Sequence, residues 1–347
     1  MLTAPPGQAR VRVDLGAIRA NWRRCSALAT RPAGAAIKAD AYGLGAAPVM
    51  QALVAEGCRD LFVACWREAE ALLPLADGVT LHVLHGVMPA DLQFALQSLG
   101  VQPVLNSLEQ AALWRESAPG RPCSLMVDTG INRLGVAPAD AGAAANGLTL
   151  DLLMSHFACA EDHGHPLTAA QLRRFGELAL PARRRSIAAS AALFADPRLA
   201  LDLARPGIAL YGGEVHPSAT GQLAQVARIE AQVLQLRGVE PGSSVGYGAT
   251  WIAARASRIA VIALGYADGY RRAFGNRGTA LVDGRACPVV GRVSMDLTAV
   301  DVTDVEPPAP GGWIEIAFDL PAASRASSLS QYELLTGLGA RLDRVYA

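Results

Sequence analysis

From residue 35 to residue 212 the chain repeats one pattern, a short apolar run followed by a longer amphipathic stretch. The runs are AAIKADAY, LFVACW, TLHVLHG, QPVLN, CSLMVDTG, LDLLMSHFA, RRSIAASA and RPGIALYG. Between them, stretches such as REAEALLPL, LEQAALWRE and TAAQLRRFGEL carry helical spacing. Strands that alternate with helices need covering on both faces, and eight such units predict a (β/α)8 barrel of the TIM type. An open doubly wound sheet is the second candidate, but no glycine-rich fingerprint follows the first run.

Near residue 213 the character changes. GGEVHPSATGQ reads as a linker, and β-rich segments follow: ARIEAQVLQLRGV, SRIAVIALGYADG, TALVDGRACPVVGRVSMDLTAVDV and WIEIAF. Asp283-Gly284 is a hairpin signal. SQYELLTGLGARL reads as a closing helix, with Ser330 and Glu333 at capping-box spacing. The expected organisation is a barrel over 12–222 followed by a smaller, mostly β domain over 223–347.

Composition narrows the function. Only 18% of residues are charged and the formal net charge is zero, so neither nucleic acid nor an anionic membrane is an expected partner. The triplet Arg183-Arg184-Arg185 reads as a solvated helix end. The six cysteines form no C-x-x-C pair, and Glu161–His165 (EDHGH) matches no ligand spacing, so no metal is expected. The opening MLTAPPGQARVRVD lacks an apolar core of secretory length, and no run reaches a membrane span; a cytoplasmic location is expected.

Of the 31 basic residues, one alone is lysine: Lys38, in AIKADAYGLG. A lysine amine can lose its proton and attack a carbonyl, which an arginine cannot do. Lys38 lies in or just after the first barrel strand, and strand C-terminal ends are where this architecture keeps its chemistry. It is therefore a Schiff-base candidate, either with a carbonyl substrate directly or with pyridoxal phosphate. Tyr42 follows as a candidate lining residue, and Gly43 and Gly45 allow close backbone approach. A phosphate in such barrels often lies by the loops after the seventh and eighth strands. Those loops offer the Ser190 hydroxyl and the N–H groups of Gly207 and Ile208.

AIKADAYGLG, VDTGINRLGV, SHFACAED, RPGIALYG, VGYGATW, GYADGYRR and GRVSMDLTAVDVTD, in that order, resemble the signature segments of alanine racemases. The resemblance runs from VRVDLGAIRANW to LDRVY. It implies a pyridoxal-phosphate enzyme that interconverts L- and D-alanine as a homodimer with shared active sites. It also implies that residues 1–11 pack with the β domain. Lys38 would hold the cofactor and act as the base toward the D-isomer. Tyr247 would be the opposing base toward the L-isomer, contributed by the partner subunit. A phenol with a pKa near 10 is only about 0.1% ionised at pH 7, so this role needs a cationic surround. His156 and Arg205 match the residues of that network, and Arg205 would also face the cofactor's ring nitrogen. Tyr42, Ser190, Gly207 and Ile208 fall on phosphate-binding positions. Arg133 and Met295 fall on substrate-carboxylate positions, and Tyr266 falls on the entryway.

Three departures stand out. Met126 occupies the place where many members carry a carbamylated lysine that orients the binding arginine, so Arg133 needs another partner, with Asp128, chloride or water as candidates. Ser186 stands where a histidine often stacks on the cofactor ring. Ala340 replaces a further phosphate-binding tyrosine of some members. Other readings are an amino-acid decarboxylase of the same fold, a non-catalytic pyridoxal-phosphate carrier and a cofactor-free aldolase. The carriers resemble the barrel alone, and Tyr247 with its β domain separates this chain from them.

Overall fold

The computed structural model describes residues 6–29, 31–162 and 164–347. The chain divides into two units, Gly16–Ala224 and Met1–Leu15 with Gln225–Ala347. Strand β1 (Ala9–Val13) belongs to the second unit. None of the helices among the described residues is long and apolar enough to cross a membrane.

In the first unit, seven parallel strands follow one another in sheet order: β2 (Ala35–Ala36), β3 (Asp60–Val63), β4 (Thr80–Val83), β5 (Val101–Leu105), β6 (Pro122–Met126), β7 (Thr149–Met154) and β8 (Arg184–Ser186). They read as apolar runs because both faces are covered; β3 is buried along its whole length. The eighth run does not form a regular strand. Instead Ala204 O accepts from Gly34 N (2.9 Å) and Pro206 O accepts from Ala36 N (2.9 Å). On the other side Arg205 N donates to Ala188 O (2.9 Å). Pro206 has no N–H to give, so this extended segment closes the barrel through fewer bonds than a full ladder would make.

The barrel also holds a polar network that the sequence reading missed. Asp60 opens β3, His82 lies in β4, Asp151 in β7 and Arg184 opens β8. Arg184 donates to both Asp60 oxygens (2.8 and 2.7 Å) and to Asp151 (2.8 Å), and His82 Nε2 lies 2.9 Å from Asp60 Oδ1. Arg184 is thus a strand residue with buried carboxylate partners, which corrects the expectation that the triplet is a solvated helix end. Arg183 beside it is mostly exposed but also meets Asp151. Asp60, His82 and Asp151 cluster closely enough to suit a cation, and the guanidinium already supplies the charge.

Burial alone would raise both carboxyl pKa values. Bonding from Arg184, joined by His82 at Asp60 and Arg183 at Asp151, overcomes it and holds both below the usual range. Groups depressed in this way contribute stability above their unfolded pKa near 3.9, and that stability is lost as pH falls through the native values. In Arg184→Met the carboxylates lose that cation, so the sign reverses and stability falls as pH rises from 5 to 8. The expected loss at pH 8 is about 3 kcal/mol, read from urea unfolding at the two pH values.

The second unit is built on one long strand, β9 (Ala227–Val239). Next come a two-stranded ribbon of β10 (Ser244–Val245) and β11 (Trp251–Ile252), then β12 (Ser257–Ile262). These are followed by β13 (Thr279–Val282), β14 (Arg285–Val290), β15 (Thr298–Asp301), β16 (Trp313–Ile316) and β17 (Asp343–Tyr346). The order β9-β12-β15-β14-β13-β16 returns to β9, closing an antiparallel ring of six. β1 adds to β9 antiparallel and to β17 parallel. The hairpin at Asp283-Gly284 has positive φ at both residues (48° and 76°), the twist a two-residue turn requires. Ser330 and Glu333 form the capping box of helix Gln331–Thr336.

Candidate active site

Lys38 stands two residues beyond β2, at the C-terminal edge of the barrel. The residues after it are unusual. Ala39, Asp40, Ala41 and Tyr42 have φ of 53, 53, 52 and 58°, a left-handed turn built without glycine. Each such residue costs about 1–2 kcal/mol against the right-handed form. Local bonds hold it: Ala41 N to Ile37 O (2.8 Å), Gly45 N to Asp40 O (2.9 Å) and Ala46 N to Asp40 Oδ1 (2.7 Å). Ala41 and Tyr42 are buried, and the Tyr42 ring packs against Tyr211 at 4.7 Å. Gly43 and Gly45 read in the sequence as room for close backbone approach, and nothing in ADAY announces the hand of the turn.

The Lys38 amine makes no hydrogen bond or ion pair among the described residues. Burial, then Arg133 and Arg205, push its pKa below the ordinary lysine value, while Glu68 opposes them. His156, just past β7, is driven down to about 3 by burial and by Arg205, Arg133 and Lys38, so its imidazole is neutral at physiological pH. Lys38, Arg133 and Arg205 thus share one positive field. Such a field favours anionic groups.

Arg205 lies buried in the closing segment. Burial lowers it to about 10, which leaves it protonated at neutral pH. Its guanidinium donates to Ser155 O (2.8 Å) and to the Ser186 hydroxyl. Ser186, read from the sequence as a lost stacking residue, is therefore a support for Arg205. Arg133 is exposed, and its guanidinium makes no hydrogen bond or ion pair among the described residues. Asp128 holds the loop rather than that side chain: its carboxylate accepts the backbone N–H groups of Gly130, Ile131, Asn132 and Arg133 at 2.8–3.2 Å. Met126 is buried at the end of β6. Gln171, also missed in the sequence, fastens the His156 loop by donating to His156 O (2.9 Å) and accepting from Ala158 N (2.9 Å).

The candidate phosphate loops, at Ser190 and at Gly207–Ile208, are joined to one another. Ser190 Oγ accepts from Gly207 N (3.0 Å) and from Ala209 N (3.2 Å), which leaves its O–H to donate elsewhere. Ile208 is buried and opens the short helical turn Ile208–Tyr211. Burial raises the Tyr42 phenol to about 12, so it is a neutral donor. A β-carbon on Gly207 would stand 2.1 Å from Tyr42 Oη. Gly207→Ala is accordingly expected to displace the phenol and weaken retention of a bound phosphate group about tenfold, checked by dialysis and absorbance. In EDHGH, His165 Nδ1 caps the helix Pro166–Gly176, and His163 lies outside the described residues.

The β unit presents its own candidates. Tyr247 sits between Gly246 (φ 77°) and Gly248 (φ 73°) at the tip of the β10–β11 ribbon, 69% exposed. Met295 is 55% exposed and lies against Gly265, where a β-carbon would meet its carbonyl at 2.2 Å. Tyr266 opens the next turn, its N–H donating to Ser294 O (3.0 Å). Arg341 ties the two loops by donating to Asp268 (2.8 Å) and Asp296 (2.7 Å). Ala340 beside it is exposed.

A free amine at the mouth of a parallel barrel, with Ser190 and Gly207 on two linked barrel loops and a separate β unit displaying a tyrosine, suits a class of two-domain lysine-dependent enzymes. Residues 13–215 match the family model described as alanine racemase, N-terminal domain, and residues 226–346 that described as alanine racemase, C-terminal domain. The chain belongs to the alanine racemase family. It is 42% identical to an alanine racemase of Acidiphilium cryptum, over 96% of this chain and 97% of the relative. It is 39% identical to a biosynthetic alanine racemase of Agrobacterium fabrum, over 97% and 93%. The crystal structure of alanine racemase from Bartonella henselae, with covalently bound pyridoxal phosphate, superposes with TM-score 0.90 at 35% identity, covering 99% of this chain and all of that one. The biosynthetic enzyme of Pseudomonas aeruginosa superposes with TM-score 0.88 at 37% identity, covering 99% and 100%.

Proposed function

We propose that the chain interconverts L-alanine and D-alanine with pyridoxal phosphate, in the cytoplasm, as a homodimer in which each site draws on both protomers. The observation that carries this is the unpartnered Lys38 amine within a field of cations, in a chain of this family. The fit to the cofactor rests on the Tyr42 phenol that the missing side chain of Gly207 admits beside the loop, the free donor capacity of Ser190 and the net positive field. Bound pyridoxal phosphate supplies the electron sink that makes an amino acid's α-proton acidic.

The protein's own residues divide the remaining work. Tyr42, Ser190 and the backbone of Gly207 and Ile208 would hold the phosphate, the Gly207 N–H giving up its bond to Ser190 Oγ to do so. Arg205, fixed by Ser155 and Ser186, would face the ring nitrogen with a proton it does not release. Arg133 and the Met295 N–H bind the substrate carboxylate. Lys38 Nζ, its pKa lowered, takes or returns the α-proton on the D face. Tyr247 Oη does so on the L face, and neutral His156 takes part in its proton network without adding charge. The exposure of Tyr247 supports the dimer reading, since a base so open to water needs covering. Tyr266 guards the approach and favours small side chains.

Purified protein incubated with L-alanine in deuterium oxide tests the reading. D-alanine labelled at the α-carbon is the expected product. Release of carbon dioxide or pyruvate in its place would overturn it.

A further inference from the structure

We propose that Glu68 is the positioning residue that aims the Lys38 amine, by tying the first residue of the left-handed turn to the end of β3. The inference rests on the racemase reading and adds a residue that the reading does not use. Glu68 lies in the first turn of helix Trp66–Leu72. One carboxylate oxygen accepts from Ala39 N (2.9 Å), the other from Ala64 N (2.7 Å). Ala39 follows Lys38 directly, and Ala64 follows the last residue of β3. Both are charge-assisted bonds to backbone, among the stronger hydrogen bonds a protein makes.

Packing does not do this work. Ala39 and Asp40 are exposed, and a cavity of about 530 Å³ lies against Ala39, Asp40, Cys65 and Glu68. The buried half of the turn, Ala41 and Tyr42, is held by the core. The half that carries Lys38 has the Glu68 carboxylate on this flank. Ala39 and Asp40 would each gain by returning to the right-handed region, so a lost clamp lets the turn relax and swings the root of the Lys38 side chain. Glu68 is also the carboxylate that acts on the Lys38 charge against Arg133 and Arg205.

Glu68→Gln and Glu68→Ala test the clamp in two readouts on the full-length protein. The first is amide hydrogen exchange of peptides spanning residues 38–45, expected to rise at least tenfold while peptides from β6 and β7 stay unchanged. The second is the pair of deuterium isotope effects with α-deuterated substrates. A misaimed Lys38 makes its own proton transfer more rate-limiting, so the effect with D-alanine rises and that with L-alanine falls, with kcat down about 10- to 100-fold. A merely structural defect lowers the active fraction and leaves both isotope effects unchanged. Unchanged exchange, or unchanged isotope effects in an active variant, overturns the inference. Failure of the wild-type chain to racemise would overturn the racemase reading instead, and the exchange readout would still decide whether Glu68 holds the turn.

Discussion

Lys38→Arg is expected to lower racemase activity about ten-thousand-fold or more, while the barrel still folds. The substitution keeps the positive charge, so a role limited to the local field would survive it. What it removes is an amine that can exist unprotonated and form a covalent link, and arginine offers neither. Burial, Arg133 and Arg205 already favour the neutral amine in the wild type. The near-visible absorbance of bound cofactor, and its fixation by borohydride at residue 38, should both vanish. Because the chain contains one lysine, any labelling that persists in the variant would arise elsewhere and would sink the assignment. In Lys38→Ala, added methylamine should restore part of the proton transfer.

Tyr247→Phe is expected to cost about a hundred- to ten-thousand-fold in kcat, about 3–5 kcal/mol in the barrier. The phenyl ring keeps the shape of the ribbon tip and loses the one proton-carrying atom. The loss should carry a sidedness: the isotope effect with α-deuterated L-alanine rises and that with D-alanine falls, the mirror image of the Glu68 variants. Mixing Lys38→Ala with Tyr247→Phe protein then tests the shared site. Random exchange of protomers makes half the dimers mixed, each with one complete site, so about a quarter of wild-type activity should return. No recovery after verified exchange would mean that both residues act from one chain.

Much of the fold is legible in the sequence. The apolar runs located the barrel strands because a strand covered on both faces has little freedom in composition. Asp283-Gly284 fixed a hairpin because few dipeptides accept positive φ twice. The eighth run misled in detail: its apolar residues close the barrel, but Pro206 cannot donate to a ladder. The network of Asp60, His82, Asp151 and Arg184 was invisible for a different reason. Its members come from four strands far apart in sequence, and only the register of the sheet brings them together. The turn at Ala39–Tyr42 escaped because its conformation is imposed by surroundings such as Glu68 and Tyr211, against the preference of its own residues. Asp128, a candidate partner for the Arg133 side chain from the sequence, instead accepts the backbone of that loop.

The place of β1, between β9 and β17, has a consequence for how the polypeptide matures. Ala9–Val13 is synthesised before the whole of Gly16–Ala224, yet both of its strand neighbours are encoded after it. The barrel can assemble while translation continues, but the other unit must wait for a remote stretch to return. A nascent chain halted before Asp343 leaves one edge of β1 bare, a template for pairing with the wrong molecule. Completion of this unit therefore waits on the synthesis of β17.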